Sequence, residues 1–168
     1  MPAPTAPRTA GKQPCPHRPR PAPARPPRAF LDLGTVLTAP GCARAWTREI
    51  LWEWGLADLA DTADIVVSEL VTNALKASRA LGRPVIRLIL SFDQGELAVL
   101  VRDDHPGAPQ ARHPGADDES GRGLLLTQAL SDRFGWYPLE QGGPGKVVWA
   151  VLEAAPVAPG DSAPGFIP

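Results

Sequence analysis

The chain has 168 residues, of which 43% are hydrophobic, and its formal net charge at pH 7 is −1. This length suits one domain with extensions, and the apolar share is large enough for a core. No segment approaches the roughly 18 consecutive apolar residues of a transmembrane helix, and the N-terminal residues lack the apolar run of a secretory signal peptide. Cys15 and Cys42 give neither a disulfide framework nor a metal-binding spacing, so we expect a cytoplasmic protein.

The charge is unevenly distributed along the chain. Residues 1–28 hold six basic residues and no acid, which leaves 11 basic against 18 acidic residues in the remainder. We expect residues 1–28 to be a disordered, basic, Pro/Arg-rich tail, residues 29–153 a single domain, and residues 154–168 a flexible C-terminal tail. A basic tail could bind nucleic acid, but it also fits a solvated extension. The acidic domain predicts no direct nucleic-acid binding.

Hydrophobic periodicity predicts an α+β fold: a two-layer sandwich with a largely antiparallel sheet and helices on one face. Asp61 or Thr62 is a candidate N-cap for the second helix, and Asp93-Gln94-Gly95 is a predicted turn between two strands. The predicted elements, in chain order, are strand 30–38, helix 42–55, connector 57–60, helix 63–80, strands 85–92 and 97–103, helix 123–130, and strands 133–137 and 146–152.

The second predicted helix contains the segment Glu69-Leu70-Val71-Thr72-Asn73-Ala74. Glu69 and Asn73 are four residues apart, so their side chains lie next to each other on one helical stripe. Burying Glu69 without a partner would be costly, which favours a stripe that opens onto a cleft. A carboxylate and an amide oxygen in one cleft can orient a nucleophile and ligate a hard cation. A polar stripe facing water is the alternative interpretation.

Two later segments add candidate ligand contacts. Asp103 ends an apolar strand just before a Pro-Gly turn, where a carboxylate can accept a hydrogen bond from a ligand amine. Residues 105–120 form a long loop with almost no apolar content, and such a loop is usually functional. Gly121-Arg122-Gly123 opens an apolar helix whose first amides could bind phosphate. The alternative for the segment after Asp103 is an ordinary Asp-rich turn, and the alternative for Gly121-Arg122-Gly123 is a loop hinge.

In their order and spacing, the three segments resemble the gyrase, histidine-kinase and heat-shock-chaperone ATPase superfamily, which has the Bergerat nucleotide fold. Within it they are most similar to the anti-sigma-factor serine kinases and related short ATP-binding regulators. Glu-Leu-Val-Thr-Asn-Ala matches the family's N box, residues 101–107 match its G1 box, and residues 121–126 match its G2 box. The resemblance covers residues 30–153 and implies that ATP and Mg²⁺ bind between the helices and a lid at residues 105–120.

The resemblance also implies roles for individual residues. Glu69 would be the catalytic base, and Asn73 would bind the nucleotide through Mg²⁺. Asp103 would accept a hydrogen bond from the adenine amine, and Gly107 would let the backbone approach the base. GTP presents a carbonyl where ATP has this amine, so we expect it to bind poorly. The phosphates would be contacted by Gly121, Arg122 and Gly123.

The chain departs from the family pattern in two functional segments. His105 stands at the first glycine of the G1 box, and only glycine adopts left-handed backbone angles at low cost. Near the last strand the family's Gly-x-Thr is replaced by Gly145-Lys146-Val147, which lacks the hydroxyl. These changes bear on catalytic turnover more than on nucleotide binding.

Two functions fit the sequence. The first is a serine/threonine kinase in anti-sigma-factor partner switching, with a sigma factor and an anti-sigma-factor antagonist as partners. The alternative is a nucleotide-dependent protein-binding switch with little or no kinase turnover. Retention of Glu69 favours the kinase, whereas His105 and Val147 favour the switch. A third function, a histidine-kinase output domain, is disfavoured because the sequence shows no helix hairpin with a phosphoacceptor histidine. We expect no contact with a membrane, and a homodimer stays possible.

Overall fold

The computed structural model describes residues 26–109, 122–139 and 144–154. These residues form a five-stranded antiparallel sheet with the strand order β1-β2-β3-β5-β4, together with three α-helices and one 3₁₀ turn at Ala57–Leu59. This architecture confirms the predicted α+β fold. The elements are β1 (Arg28–Gly34), α1 (Ala39–Glu53), α2 (Ala60–Ala80), β2 (Val85–Asp93), β3 (Glu96–Asp103), α3 (Arg122–Leu130), β4 (Arg133–Pro138) and β5 (Lys146–Glu153).

The core lies between the sheet and the helices, with α2 at its centre. Alternate residues of β2 and β3 face this layer and are almost fully buried, as period-two strands that cover one face require. From α2, residues at helical spacing fill the same core. The most buried members of this interface are Val66, Val67, Leu70, Val71, Ile86, Leu88, Leu90, Leu97, Val99 and Val101.

The turn between β2 and β3 has the geometry expected from its sequence. Gln94 and Gly95 have positive φ angles of 51° and 84°, and Asp93 pairs directly with Glu96. Two consecutive positive φ angles in a two-residue hairpin loop suit the right-handed twist of the flanking strands. The predicted turn at Asp93-Gln94-Gly95 is therefore confirmed.

Two predicted helix starts were misplaced. Helix α1 begins at Ala39 rather than at Cys42, because Pro40 lies in the first turn, where its missing N–H removes no helical hydrogen bond. Helix α2 begins at Ala60 without a side-chain cap, so the predicted capping role of Asp61 or Thr62 was wrong. The preceding 3₁₀ turn supplies a backbone partner instead, since the Ala60 N–H donates to the Ala57 carbonyl.

Residues 1–25, 110–121, 140–143 and 155–168 lie outside the described part of the chain. The predictions for most of the N-terminal tail, for most of the lid, for Gly121 and for nearly all of the C-terminal tail therefore fall on segments that the structure does not describe. Within the described ranges, no helix has both the length and the apolar character needed to cross a membrane.

Candidate functional site

A cavity of about 490 Å³ lies between α2, the end of β3, the start of β5 and the first turns of α3. Three of the predicted site residues line it: Asn73 from α2, Asp103 from β3, and Gly107 from the loop after β3. These residues come from motifs that are well separated in sequence. The fold thus brings the N box and the G1 box to one concave site, as a small-molecule pocket requires.

Asp103 lies on the cavity wall with only 1% of its side chain exposed. Its Oδ1 accepts the backbone N–H of His105 at 2.8 Å and the Lys146 Nζ at 2.9 Å. The first contact is the local turn that an aspartate forms with the backbone two residues on. Both contacts fix the position of the carboxylate before any ligand arrives.

Lys146 is the site residue that the sequence analysis missed. It is the first residue of β5 and lies directly opposite Asp103 in the β3–β5 register. Its side chain is 5% exposed, and its Nζ also donates to the His105 carbonyl at 3.3 Å. A lysine is almost never this buried unless it is paired. A lysine that opens an otherwise apolar strand was the available signal.

The loop after β3 accommodates His105 without a left-handed backbone angle. Among the described residues, the only non-glycine with positive φ is Gln94. The His105 ring turns towards Gly107, and its Nδ1 accepts the Gly107 N–H at 3.0 Å. A Cβ on Gly107 would lie 2.8 Å from the His105 Cε1 atom. Glycine at position 107 therefore permits the close approach of the ring.

Glu69 meets the start of α3 at Gly123. A Cβ on Gly123 would lie 1.9 Å from the Glu69 Oε2 atom and 2.8 Å from its Cδ. Only a glycine therefore leaves the Glu69 carboxylate in this position, against the backbone of the G2 box. Glu69 lies one helical turn from Asn73, so this contact places the candidate base beside the cavity and near the helix N-terminus.

Asn73 has an unpaired amide in the cavity wall. Its Nδ2 is buried and has no hydrogen-bond partner among the described residues. Such an atom is costly unless something else satisfies it, so the amide fits a contact to a bound group. No cluster of three or more His, Cys, Asp or Glu side chains that could hold a metal occurs in the described ranges. The Nδ2 donor suits an acceptor such as a phosphate oxygen, and the Asn73 amide oxygen is the atom that would ligate a Mg²⁺ held mainly by phosphates and water.

The G2 box is only partly described. Gly121 lies outside the described residues, while Arg122 begins α3 but its side chain also lies outside them. Gly123 is described and contacts Glu69. Behind it, Leu124 lines the cavity, and Thr127 is buried with its hydroxyl donating to the Gly123 carbonyl at 2.9 Å. The beginning of α3 is thus held beside the cavity.

Comparisons with known proteins agree with the fold. Among solved structures, the chain is similar to one in the SiaB–SiaC complex from Pseudomonas aeruginosa, with a TM-score of 0.55 and 13% sequence identity, over 74% of this chain and 88% of that one. At this identity the likeness concerns the fold. No curated protein matches the chain significantly. The model of the histidine kinase-like ATPase domain matches residues 37–152, which is well over half of the sequence, and the chain therefore belongs to this family.

Proposed function

We propose that this protein binds ATP and Mg²⁺ in the 490 Å³ cavity and regulates a partner protein by phosphorylating a serine or threonine on it. Family membership supports nucleotide binding. The observation that carries the site assignment is the buried carboxylate of Asp103 on the wall of the cavity that the unpaired Asn73 Nδ2 also lines. The carboxylate offers an acceptor for a base amine, and the amide N–H group offers a donor for an acceptor oxygen such as that of a phosphate.

In the proposed complex, Asp103 accepts a hydrogen bond from the adenine amine, and Gly107 lets the loop backbone approach the ring. Asn73 contributes an oxygen ligand to Mg²⁺, which supplies positive charge that neutralises the phosphates. The amides of Gly121, Arg122 and Gly123 contact the phosphates at the N-terminus of α3. Asn73, Asp103 and Leu124 of α3 line the same cavity, which supports this assignment of the nucleotide contacts.

Glu69 is the proposed catalytic base. Its carboxylate lies against Gly123, beside the helix N-terminus that would hold the phosphates. It takes the proton of the substrate hydroxyl, the hydroxyl oxygen attacks the γ-phosphorus, and the bond to the bridging oxygen of the leaving ADP breaks. The close packing of Glu69 on the G2 box is the contact that favours this role.

A protein partner is the second half of the proposal. The similar structure was solved as a complex of SiaB with SiaC, and we extend this feature to the present chain as an expectation. The motif resemblance favours an anti-sigma-factor antagonist as the phosphorylated partner and a sigma factor as the other partner. A switch with little turnover stays the second candidate, because Val147 supplies no hydroxyl at the start of β5.

Binding and turnover can be tested separately. Calorimetry with ATP and Mg²⁺ should show binding, and the absence of binding at millimolar ATP would contradict the proposal. Partners captured from the native cytoplasm with and without ATP and Mg²⁺ should then receive phosphate from labelled ATP. ATP-dependent capture without phosphate transfer would favour the switch over the kinase.

Glu69→Gln tests the proposed base. The variant should lose phosphate transfer by roughly 10² to 10⁴-fold while ATP affinity changes little, because a base acts on the nucleophile rather than on the bound nucleotide. Glu49→Gln, on the exposed surface of α1, is a matched control and should transfer phosphate normally. Equal transfer by the Glu69 variant and the wild type would remove Glu69 from the mechanism.

A further inference from the structure

Lys146 has no role in the proposed site so far, yet it is one of the most buried charged residues in the described part of the chain. Its residue exposure is 4%, and it lines the same cavity as Asp103. A buried lysine in a binding cavity needs an explanation, since ammonium groups are strongly hydrated and costly to bury.

The hydrogen bonds between Lys146 and Asp103 leave groups of both side chains that a ligand can contact. An ammonium has three donors, and within the described residues Lys146 uses two of them, on the Asp103 Oδ1 and the His105 carbonyl. Asp103 accepts both of its described hydrogen bonds on Oδ1. Among the described residues, the Lys146–Asp103 pair on the cavity wall therefore has one unused Lys146 donor and an unused Asp103 Oδ2 acceptor.

A carboxylate alone would discriminate between purines. Adenine carries a donor amine at position 6, whereas guanine and hypoxanthine carry an acceptor oxygen there. Facing only a carboxylate, the oxygen of a 6-oxopurine would meet another acceptor, and this was the basis for expecting weak GTP binding. An ammonium beside the carboxylate changes this, because it can donate to the oxygen while the carboxylate accepts the neighbouring ring N–H.

We propose that Lys146 determines the base specificity of this site, so that 6-oxopurine nucleotides such as GTP and ITP bind alongside ATP. The inference rests on the proposed nucleotide-binding function and revises its base preference. With ATP, the Asp103 Oδ2 accepts the 6-amine, and Lys146 keeps its hydrogen bonds to Asp103 and the His105 carbonyl. With GTP or ITP, Lys146 donates its third N–H to the 6-oxygen and Asp103 accepts the ring N–H. Adenine thus depends on Asp103 alone, whereas a 6-oxopurine also depends on Lys146.

The test begins with the wild-type protein. Calorimetry with ATP, GTP and ITP in the presence of Mg²⁺ should give dissociation constants within about tenfold of one another, since the group at position 6 of each base finds a partner in the Asp103–Lys146 pair. ITP lacks the 2-amino group of guanine, so its binding isolates the effect of the 6-oxygen. The wild-type series decides the question by itself: GTP and ITP affinities more than about a hundredfold below that of ATP would overturn the inference.

Lys146→Met then removes the donor at similar side-chain length. GTP and ITP should weaken relative to ATP by roughly ten- to a hundredfold, because their 6-oxygen loses its partner. Lys76→Met is the matched control, because Lys76 lines the same cavity from α2. Its loss can lower the affinity for all nucleotides, but the GTP-to-ATP ratio, defined as the GTP dissociation constant divided by the ATP dissociation constant, should stay unchanged. Circular dichroism before titration identifies a variant that has not folded.

The outcomes separate the two proposals. If ATP binds but Lys146→Met leaves the GTP-to-ATP ratio unchanged, the specificity role of Lys146 is wrong and the proposed function stands. If no nucleotide binds to the wild type, the proposed function fails and the specificity role fails with it. The inference is supported if the ratio of the GTP to the ATP dissociation constant rises in Lys146→Met and stays constant in Lys76→Met.

Discussion

Asp103 and Asp104 are consecutive carboxylates with opposite surroundings. Asp103 is buried in the core-facing cavity and bonded to Lys146. Asp104 is only half-buried and lines a separate cavity of about 220 Å³, together with Arg87 and Arg102. Successive residues at a strand end point to opposite faces of the sheet, which explains the difference. Of the two acids, Asp103 is therefore the one that lines the proposed nucleotide cavity.

Asp103→Asn should weaken ATP binding by roughly ten- to a hundredfold, because an amide replaces one acceptor oxygen with a donor and the partner donor is left unmatched. Asp104→Asn should bind ATP nearly normally. Calorimetry on both variants measures the difference, and thermal unfolding checks that each is folded. Loss of ATP binding in the Asp104 variant alone would mean that the adenine contact is assigned one residue too early.

The site residues differ in how far the sequence could reveal them. Asn73, Asp103 and Gly107 were predicted from local motifs, and the structure places all three on one cavity. For Lys146 the local sequence shows only an unusual lysine at the start of an apolar strand, since its role depends on pairing with a residue 43 positions away. That contact arises from the β3–β5 register, which no local pattern encodes.

At the level of elements, the central strands were easier to predict than the helix starts or the end of β1, which stops at Gly34 rather than at residue 38. Alternating apolar residues mark β2 and β3 because one face of each strand covers the core. Helix starts depend on which groups satisfy the first free N–H groups. In α2 a backbone carbonyl of the preceding 3₁₀ turn does so, and side-chain capping rules do not anticipate this arrangement.

The β2–β3 turn predicts a stability difference between two glycines. Gly95→Ala should destabilise the fold by about 1 kcal/mol, because Gly95 has a φ of +84° and an alanine is strained there even though no atom lies within 4 Å of its Cβ. Gly34→Ala, which has equal space and no positive φ, should change stability by less than about 0.5 kcal/mol. Urea unfolding of both variants measures the difference, and equal values would contradict a strained turn.

The edge strand β1 predicts a pH-dependent contribution to stability. Arg87 donates two hydrogen bonds to Asp32, at 2.6 and 2.7 Å, and these lower the pKa of the Asp32 carboxyl below its ordinary value of 3.8. A lowered pKa in the folded state stabilises the protein above the unfolded pKa, and this stabilisation is lost as pH falls through the folded pKa. The effect should therefore be constant near neutral pH and disappear in acid below about pH 4.

Asp32→Asn tests this contribution. Because both side chains are more than 40% exposed, the wild type should exceed the variant in melting temperature by no more than roughly a few degrees at pH 7. The difference should shrink below pH 4 and also in 1 M salt, where charges are screened within about 3 Å. A difference as large at pH 2.5 as at pH 7 would show that the side chain acts through packing rather than charge.

For the whole molecule, the domain limits can be set more sharply than composition allowed. Strand β1 already includes Arg28, which pairs with Ser91, and the Pro27 carbonyl accepts the Phe92 N–H at 3.1 Å. The folded domain thus begins slightly before the predicted limit at residue 29. We propose residues 26–154 as the unit that folds and binds nucleotide, with residues 1–25 contributing to neither property.

Two truncations test these limits. Deleting residues 1–25 should leave the melting temperature within about 2 °C of the wild type and ATP affinity unchanged, because this Pro-rich segment has little apolar area to bury.

Deleting residues 1–31 also removes the half of β1 that pairs with residues 88–91, and the melting temperature should fall by several degrees, since backbone groups of β2 lose their partners. Thermal unfolding and calorimetry on both proteins give the comparison. A large drop for the shorter deletion would show that residues 1–25 pack on the domain, and an unchanged melting temperature for the longer one would show that β1 contributes little to the fold.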